Sequence, residues 1–287
     1  MRDRLFVILQ YLLPRYALTA LVYWLARVRQ PAVKDFLIRR FVHHFDVDLD
    51  GVSEPVPEGF DTFNAFFIRE LTPVARPVAD GPTAIVSPVD GTVSAAGRIQ
   101  GDTIFQAKGI DYRLEDLLEV DRERAAAFEN GSFATIYLAP YNYHRIHAPV
   151  DGRLDALHYV PGDLFSVNAA TVRIIRGLFR RNERLVQHFD TAIGPVAVIL
   201  VGALNVGSIS SPWTGEIRPR RRGAPEDLPV SGADPEVARG DLLGCFNMGS
   251  TVILLLPPGA AELDPALVTG TIVKMGQAIG TLAAGSS

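Results

Sequence analysis

The feature of the sequence that most constrains its fold is a run of apolar residues that ends at Pro257. The run extends from Val252 to Leu256 and follows the pair Gly249-Ser250. Its length and boundaries predict a short buried strand with a tight turn in front of it. Gly249 has no side chain to shield its carbonyl group, so the hydroxyl group of Ser250 can approach the peptide between them. Because serine is a weak nucleophile without a base, the stretch alone favours the strand and turn, and cleavage at this peptide is the alternative.

The chain from about residue 84 onward consists of short β-rich runs separated by glycines. The pattern Pro-Val-Asp-Gly occurs at residues 88–91 and 149–152, and related glycine-containing turns occur at 213–217 and 270–277. Asp-Gly between β-branched residues is a strong hairpin signal, so these repeats predict a small antiparallel sandwich or barrel.

The two parts of the chain together predict an α+β fold. Residues 1–80 would form a helical, membrane-associated region and a linker, and residues 81–287 a β-rich, barrel-sandwich-like domain. The second part resembles the architecture of lipoyl-type modules, although Lys274 is not in a hairpin tip of the form that such carriers use. In the linker, Thr62 or Asp61 is the expected N-cap of a short helix that reaches Arg69.

The N-terminal segment is both basic and apolar. Residues 1–45 contain eight Lys and Arg against two acids, a charge of +6; since the whole chain carries −4, the rest carries −10. The apolar runs 5–13 and 16–26 are too short to span a membrane, which requires about 20 residues. A signal peptide is disfavoured because no small-x-small cleavage site follows. We predict short helices lying on an anionic membrane surface, peripheral to the cytoplasmic side of the cell membrane, and helices docked on the protein core remain the alternative.

Composition adds two limits. With 287 residues, 48% of them apolar, the chain can bury a large core. Its single cysteine, Cys245, excludes an internal disulfide and a cysteine-based metal site. The basic stretch 218–222, followed by a Pro- and Gly-rich segment, is expected to be an exposed, mobile loop.

Two histidines have a spacing that suits chemistry. His144 and His147 would share one face of a helical turn, and with Asp90 they could form a metal site. No His-Glu-x-x-His or cysteine pattern supports a metal, so none is predicted. Taken alone, Asp90 is a turn residue, as Asp151 is in the matching repeat.

Three motifs together carry a resemblance to a known family: residues 87–93, residues 141–149 and Met248-Gly249-Ser250-Thr251. They resemble the phosphatidylserine decarboxylases, a pyruvoyl-dependent family that cuts itself at Leu-Gly-Ser-Thr. The likeness covers nearly the whole chain, in the family's order, and it also includes residues 62–69, 106–109, 159–168 and 179–184. Met248 replaces the usual leucine, a substitution that conserves volume, so we expect the cut to survive it.

The resemblance implies a role for each residue. Asp90 would orient His147, and His147 would deprotonate Ser250 for attack on Gly249. The products would be a large chain (1–249) and a small chain (250–287) that begins with a pyruvoyl group made from Ser250. That group would form a Schiff base with the amine of phosphatidylserine and act as an electron sink for decarboxylation to phosphatidylethanolamine, a step of phospholipid biosynthesis. His144 would return the proton.

The predicted partners are therefore phosphatidylserine, an anionic membrane surface and the two chains of one precursor, with no nucleic acid. A homodimer is left open. Two rival functions belong to other classes: a non-catalytic lipoyl-like or lipid-binding module with Gly249-Ser250 intact, and a zinc hydrolase that uses Asp90, His144 and His147.

Overall fold

The computed structural model describes residues 2–107, 110–221 and 223–283, and its fold is a mixture of helices and antiparallel sheets. Of the positions singled out in the sequence, Lys108, Gly109 and Arg222 lie outside the described residues. The helices are α1 (Arg2–Leu12), α2 (Arg15–Leu25), α3 (Pro31–Phe45), α4 (Phe63–Phe67), α5 (Leu114–Leu118), α6 (Arg122–Ala126), α7 (Ala169–Val172) and α8 (Leu178–Arg181).

The strands form one large sheet and three small ones. The strands are β1 (Ala84–Val86), β2 (Gly91–Arg98), β3 (Thr103–Ala107), β4 (Ile110–Arg113), β5 (Ser132–Tyr137), β6 (Arg145–His147), β7 (Gly152–Val160), β8 (Arg184–Thr191), β9 (Gly194–Val201), β10 (Ile209–Ser211), β11 (Gly215–Ile217), β12 (Glu226–Leu228), β13 (Glu236–Val237), β14 (Leu242–Phe246), β15 (Thr251–Leu256), β16 (Ala261–Leu263), β17 (Ile272–Val273) and β18 (Ala278–Leu282). The large sheet has the order β12-β7-β8-β9-β15-β5-β2-β17, with β13 also paired to β7. The small sheets are β11-β10-β14-β6, β1-β18-β16 and β3-β4.

Strand β15, the predicted apolar strand, lies at the centre of the large sheet. It pairs with β5 on one side and β9 on the other, and all six of its residues are buried. A strand covered on both faces reads as a continuous apolar run rather than an alternating one. The prediction of a buried strand ending at Pro257 is confirmed, and Ser250 immediately precedes it.

The two Asp-Gly turns do not form hairpins, so that prediction is wrong. Asp90-Gly91 connects β1 to β2, yet β1 pairs with β18 and β2 with β5. Asp151-Gly152 likewise connects strands of different sheets. Both aspartates are engaged by distant segments: Asp90 accepts a hydrogen bond from the Met275 N–H, and Asp151 one from the Arg239 N–H. At both turns the strand before Asp-Gly and the strand after it therefore belong to different sheets. The turn before Gly215, in contrast, does form a hairpin, between β10 and β11.

The sheets are antiparallel, as predicted, but the described strands do not close into a barrel. The large sheet ends at β17 on one side and at β12 and β13 on the other, and these ends are not paired to each other. The β-rich nature of the second part is confirmed, while a boundary near residue 80 stays a prediction.

The N-terminal helices are docked on the β-rich part by polar contacts along one face. Gln10 of α1 donates to the Thr171 hydroxyl and accepts from the Ser166 N–H. Arg15 and Arg27, at the two ends of α2, pair with Asp163 and Glu216. The alternative of helices docked on the core is thus what the structure shows for this face.

The helices also have an exposed apolar face, formed by Phe6, Ile8, Leu9, Leu12, Leu21, Trp24, Leu25 and Phe36. Tyr11 is exposed as well, but its ring packs on Phe165 and its hydroxyl accepts from Arg181. Within the described ranges, no single helix is long and apolar enough to cross a membrane. Phe6–Leu12 and Arg15–Leu25 are long and apolar enough only when they are taken together, and the two segments meet at an angle of 87°.

A second, smaller core is formed by side chains of α3, α4 and the segment before α4. It contains Ile38 together with the aromatic side chains Phe60, Phe63, Phe66 and Phe67. Helix α4 begins where predicted, because the Thr62 hydroxyl caps it by accepting from the Ala65 N–H at 3.0 Å. This core holds α4 against the turn that carries His144.

Candidate active site

The peptide between Gly249 and Ser250 joins a half-buried glycine to a fully buried serine, and a side chain at Gly249 would be tightly packed. A Cβ atom there would be 3.3 Å from His144 Nε2 and 3.3 Å from the Leu138 carbonyl oxygen. Ser250 is fully buried, its carbonyl accepts from the Leu138 N–H at 2.8 Å, and its Oγ has no hydrogen-bond partner among the described residues. A buried hydroxyl without a partner is costly, and it is available for chemistry.

His144 lies on the turn before β6, and its free nitrogen faces Gly249. Its Nδ1 is 2.8 Å from the Asn142 carbonyl oxygen, so Nδ1 carries the proton and Nε2 keeps its lone pair. Nε2 is buried and without a partner in the described part of the chain. Burial, and secondly the charge of Arg69, lower the pKa of His144 to about 3. His144 is therefore a neutral imidazole beside the peptide.

His147 lies within β6 and has partners on both ring nitrogens. Nδ1 is 2.7 Å from the Gly240 carbonyl oxygen, and Nε2 is 3.1 Å from the Tyr143 hydroxyl. Burial lowers the pKa of His147, while the Gly240 carbonyl and the charges of Asp241 and Asp90 oppose that shift. The two histidines are not on a helical turn, so the geometry expected from their spacing is wrong.

Asp90 is buried and paired with an arginine from the linker. Arg76 donates from Nε at 2.8 Å and from Nη2 at 2.6 Å, and the Met275 N–H donates at 2.9 Å. Among the hydrogen bonds of the described residues, none joins Asp90 to His147. Arg76 fixes the Asp90 carboxylate in place, and the charge of Asp90 is the smallest of the influences on the pKa of His147.

Arg69 is a second buried arginine, and sequence reasoning did not give it a role. The residue is 3% exposed, and its Nη2 donates to the Tyr141 carbonyl oxygen at 3.3 Å. Its Nε and Nη1 have no partner within the described ranges. Burial lowers the pKa of Arg69 to about 10, so the guanidinium keeps its charge at neutral pH. The sequence signal that could have found it is a charged residue directly after the aromatic helix α4.

An apolar cavity of about 420 Å³ opens beside Met248, the residue before Gly249. Helices α2 and α3 supply most of its walls, and Arg40 and His44 are its polar lining residues. Leu25 lines the cavity and is also one of the exposed apolar side chains of the helices.

The residues at the Gly249-Ser250 peptide fit a pyruvoyl group. Among the described residues, no group of three or more His, Cys, Asp or Glu side chains is placed to hold a metal ion. A pyruvoyl group is made from a serine that follows the cleaved bond, and Ser250 follows Gly249 and has an Oγ without a partner among the described residues.

Comparison with known proteins identifies the family of this chain. The family model described as phosphatidylserine decarboxylase matches residues 63–281, and a model described as PSD matches residues 5–46. A phosphatidylserine decarboxylase proenzyme of Methylococcus capsulatus is 49% identical over 278 residues, which cover 97% of this chain and 96% of that protein. Proenzymes of the same name from Saccharophagus degradans (44% over 282 residues, 98% of this chain and 99% of that protein) and Acidovorax ebreus (47% over 279 residues, 97% and 98%) are similarly close. The chain belongs to the phosphatidylserine decarboxylase family.

Proposed function

We propose that this protein is a self-cleaving, pyruvoyl-dependent carboxy-lyase that converts phosphatidylserine to phosphatidylethanolamine. The observation that carries the proposal is the buried, unpartnered Oγ of Ser250 beside Gly249. Gly249 and Ser250 form the cleavage site, and Asp90, His144 and His147 complete the set of catalytic residues.

In the cleavage, the Ser250 hydroxyl gives up its proton and Oγ attacks the Gly249 carbonyl carbon, so that the peptide becomes an ester. Removal of the Ser250 α-proton then breaks the Cβ–Oγ bond, and Gly249 departs as a carboxylate that keeps that oxygen. The remaining enamine takes up water and releases ammonia, which leaves a ketone at the start of the chain 250–287. No external oxidant or reductant is required.

His147 is the better base for the first step, although His144 lies closer to Gly249. An imidazole whose pKa is lowered to about 3 accepts a proton weakly at neutral pH. His147 is instead assisted by the Gly240 carbonyl and the charges of Asp241 and Asp90. To reach Ser250, His147 exchanges its hydrogen bond with Tyr143.

In turnover, the ketone supplies an electron sink for an amine substrate. His144 is the residue placed to handle the proton there, because its Nε2 is free and faces Gly249. The surrounding residues Phe67, Leu138 and Ser250 are buried and exclude water from this position.

The exposed face of α1–α3 is the proposed contact with an anionic membrane, on the cytoplasmic side. Leu12, Trp24 and Phe36 are exposed there, and the cavity beside Met248, the neighbour of Gly249, offers apolar chains a site between α2 and α3. Five of the eight basic residues of the segment already pair with acids of this chain: Arg15, Arg27, Arg29, Lys34 and Arg39. Apolar insertion therefore contributes more to the contact than charge.

Intact mass and decarboxylation together test the proposed function. The wild type should consist of chains 1–249 and 250–287, the small one starting with a ketone, and should release carbon dioxide from detergent-dispersed phosphatidylserine. Ser250→Ala should remain one inactive chain. Ser211→Ala, which changes another buried serine, should cleave like the wild type. Cutting of Ser250→Ala at the same bond would assign the cleavage to a different protein.

A further inference from the structure

Arg69 carries a buried charge that the described structure leaves largely unpaired. Its one described hydrogen bond is to the Tyr141 carbonyl, and its ring neighbour is Phe66, 5.1 Å from the guanidinium carbon. A buried cation without an anion is unfavourable, so pairing with a negative group would stabilise the protein at Arg69.

The nearby carboxylates are engaged by other groups. Asp90 is held by two nitrogens of Arg76 and by the Met275 N–H. Glu70, the residue next to Arg69, pairs with Arg145 at 2.8 Å, and Asp48, whose charge also acts on Arg69, accepts from the Asp50 N–H. Among the described residues no carboxylate hydrogen-bonds to Arg69, so its guanidinium is open to a further anion.

We propose that Arg69 receives the α-carboxylate that self-cleavage creates on Gly249. This inference rests on the proposed function. Gly249 and Arg69 contact the same turn, because a Cβ on Gly249 would be 4.0 Å from the Pro140 N and Arg69 donates to the Tyr141 carbonyl. Once the bond is cut, Gly249 is a chain end that can rotate its carboxylate toward the guanidinium.

The pairing also changes His144. The groups that face His144 are the apolar ring of Phe67, 4.1 Å away, the Asn142 carbonyl, Gly249 and the charge of Arg69. Of these, only Arg69 disfavours a proton by its charge. Neutralising Arg69 lets His144 hold a proton more readily, so cleavage itself prepares His144 for turnover.

Thermal unfolding in two backgrounds tests the pairing without an activity assay. Arg69→Met should lower the Tm of the processed enzyme by at least about 6 °C, because it leaves the Gly249 carboxylate unpaired. In the uncleaved Ser250→Ala protein the same substitution removes an unpaired charge, and the Tm should change by less than about 3 °C. Arg69→Lys, which keeps the charge, should lower the processed Tm less than Arg69→Met.

Arg184→Met is the matched control. Arg184 is a fully buried arginine whose five described hydrogen bonds go to four backbone carbonyls and Glu119, all independent of cleavage. It should lower the Tm equally in both backgrounds. Equal shifts for Arg69→Met would overturn the proposal, and if they came with an at least tenfold higher KM for short-chain phosphatidylserine, the anion would be the substrate's own.

A histidine titration followed by NMR gives a second readout. In the Ser250→Ala protein, His144 should stay neutral from pH 5 to 8. In the processed enzyme, and in the double variant Arg69→Met/Ser250→Ala, His144 should gain its proton at a higher pH than it does in Ser250→Ala. An unchanged His144 titration would overturn the proposal, as would failure of both Arg69 variants to cleave, since the side chain would then act before the carboxylate exists. A wild type that remains one chain by mass would instead refute the proposed function itself.

Discussion

The region around Asp90 and the region around Ser250 differ in how completely their buried polar groups are paired. Asp90 has three donors, and both nitrogens of His147 have partners. Across β6, the Oγ of Ser250, the Nε2 of His144 and two nitrogens of Arg69 have none among the described residues. Paired groups hold a fixed geometry, and unpaired ones are available to react or bind. The difference suggests that the first region supports the chemistry that takes place in the second.

Substitution of either histidine should have a large effect on activity, and each substitution should affect a different step. His147→Ala should slow self-cleavage by at least about 100-fold, the contribution of a general base, and Asp90→Asn should slow it strongly as well. His144→Ala should still cleave, but its decarboxylation should fall by a factor of about 10²–10⁴. Cleavage is followed by intact mass and turnover by carbon dioxide release. Equal, complete loss of cleavage in both histidine variants would show that the roles are divided wrongly.

Arg76→Met tests how much the paired region depends on its arginine. The side chains of Arg76 and Asp90 are 13% and 6% exposed, so the substitution leaves a buried carboxylate without its partner. The free energy of unfolding should fall by about 3 kcal/mol. Urea unfolding of the single-chain Ser250→Ala protein measures it.

The control for Arg76 is Arg113→Met. The Arg113 side chain is 51% exposed in its pair with Asp102, so its substitution should leave the urea midpoint of unfolding almost unchanged. A similarly small change at Arg76 would contradict the support role assigned to the Asp90 region.

The pH dependence of cleavage sharpens the assignment of the base. Burial lowers the pKa of His147 below its ordinary value, so the ring is already deprotonated at neutral pH. The cleavage rate should be constant above about pH 6.5 and fall only in more acidic solution, where the ring gains a proton. Precursor made by cell-free synthesis and sampled by mass gives the rate. A rate that continues to rise above pH 8 would indicate another base.

The smallest effect concerns the exposed apolar face. Trp24→Ser should weaken binding to anionic vesicles by about fivefold, since the ring, 65% exposed in the structure, would lose its apolar surroundings. Cleavage should be unaffected. Ile272→Ser, at an exposed position on β17, is the control and should bind normally. Because many N-terminal basic residues are paired internally, added salt should weaken binding only slightly.

Local patterns predicted local structure well. The strand β15, the Thr62 cap and the helical N-terminal segment follow from periodicity and capping, which act within a few residues. The Asp-Gly turns were mispredicted because the Met275 and Arg239 N–H groups that hold the aspartates are far away in sequence. Arg69 and Arg76 could not be assigned for the same reason, since burial and pairing are decided by tertiary contacts.

Because β15 lies at the centre of the large sheet, the processed protein can fold only when its two chains associate. The small chain would contribute β15, between β5 and β9, β17 at the edge of the large sheet, and both β16 and β18, of which β18 pairs with β1. Two of the sheets are therefore completed by a segment with no covalent link to the rest. Refolding from denaturant then depends on two molecules meeting, and its yield falls on dilution, whereas the uncut chain refolds independently of concentration. Activation therefore commits the protein to its folded state: once cut, a molecule that unfolds loses its central strand to the solution.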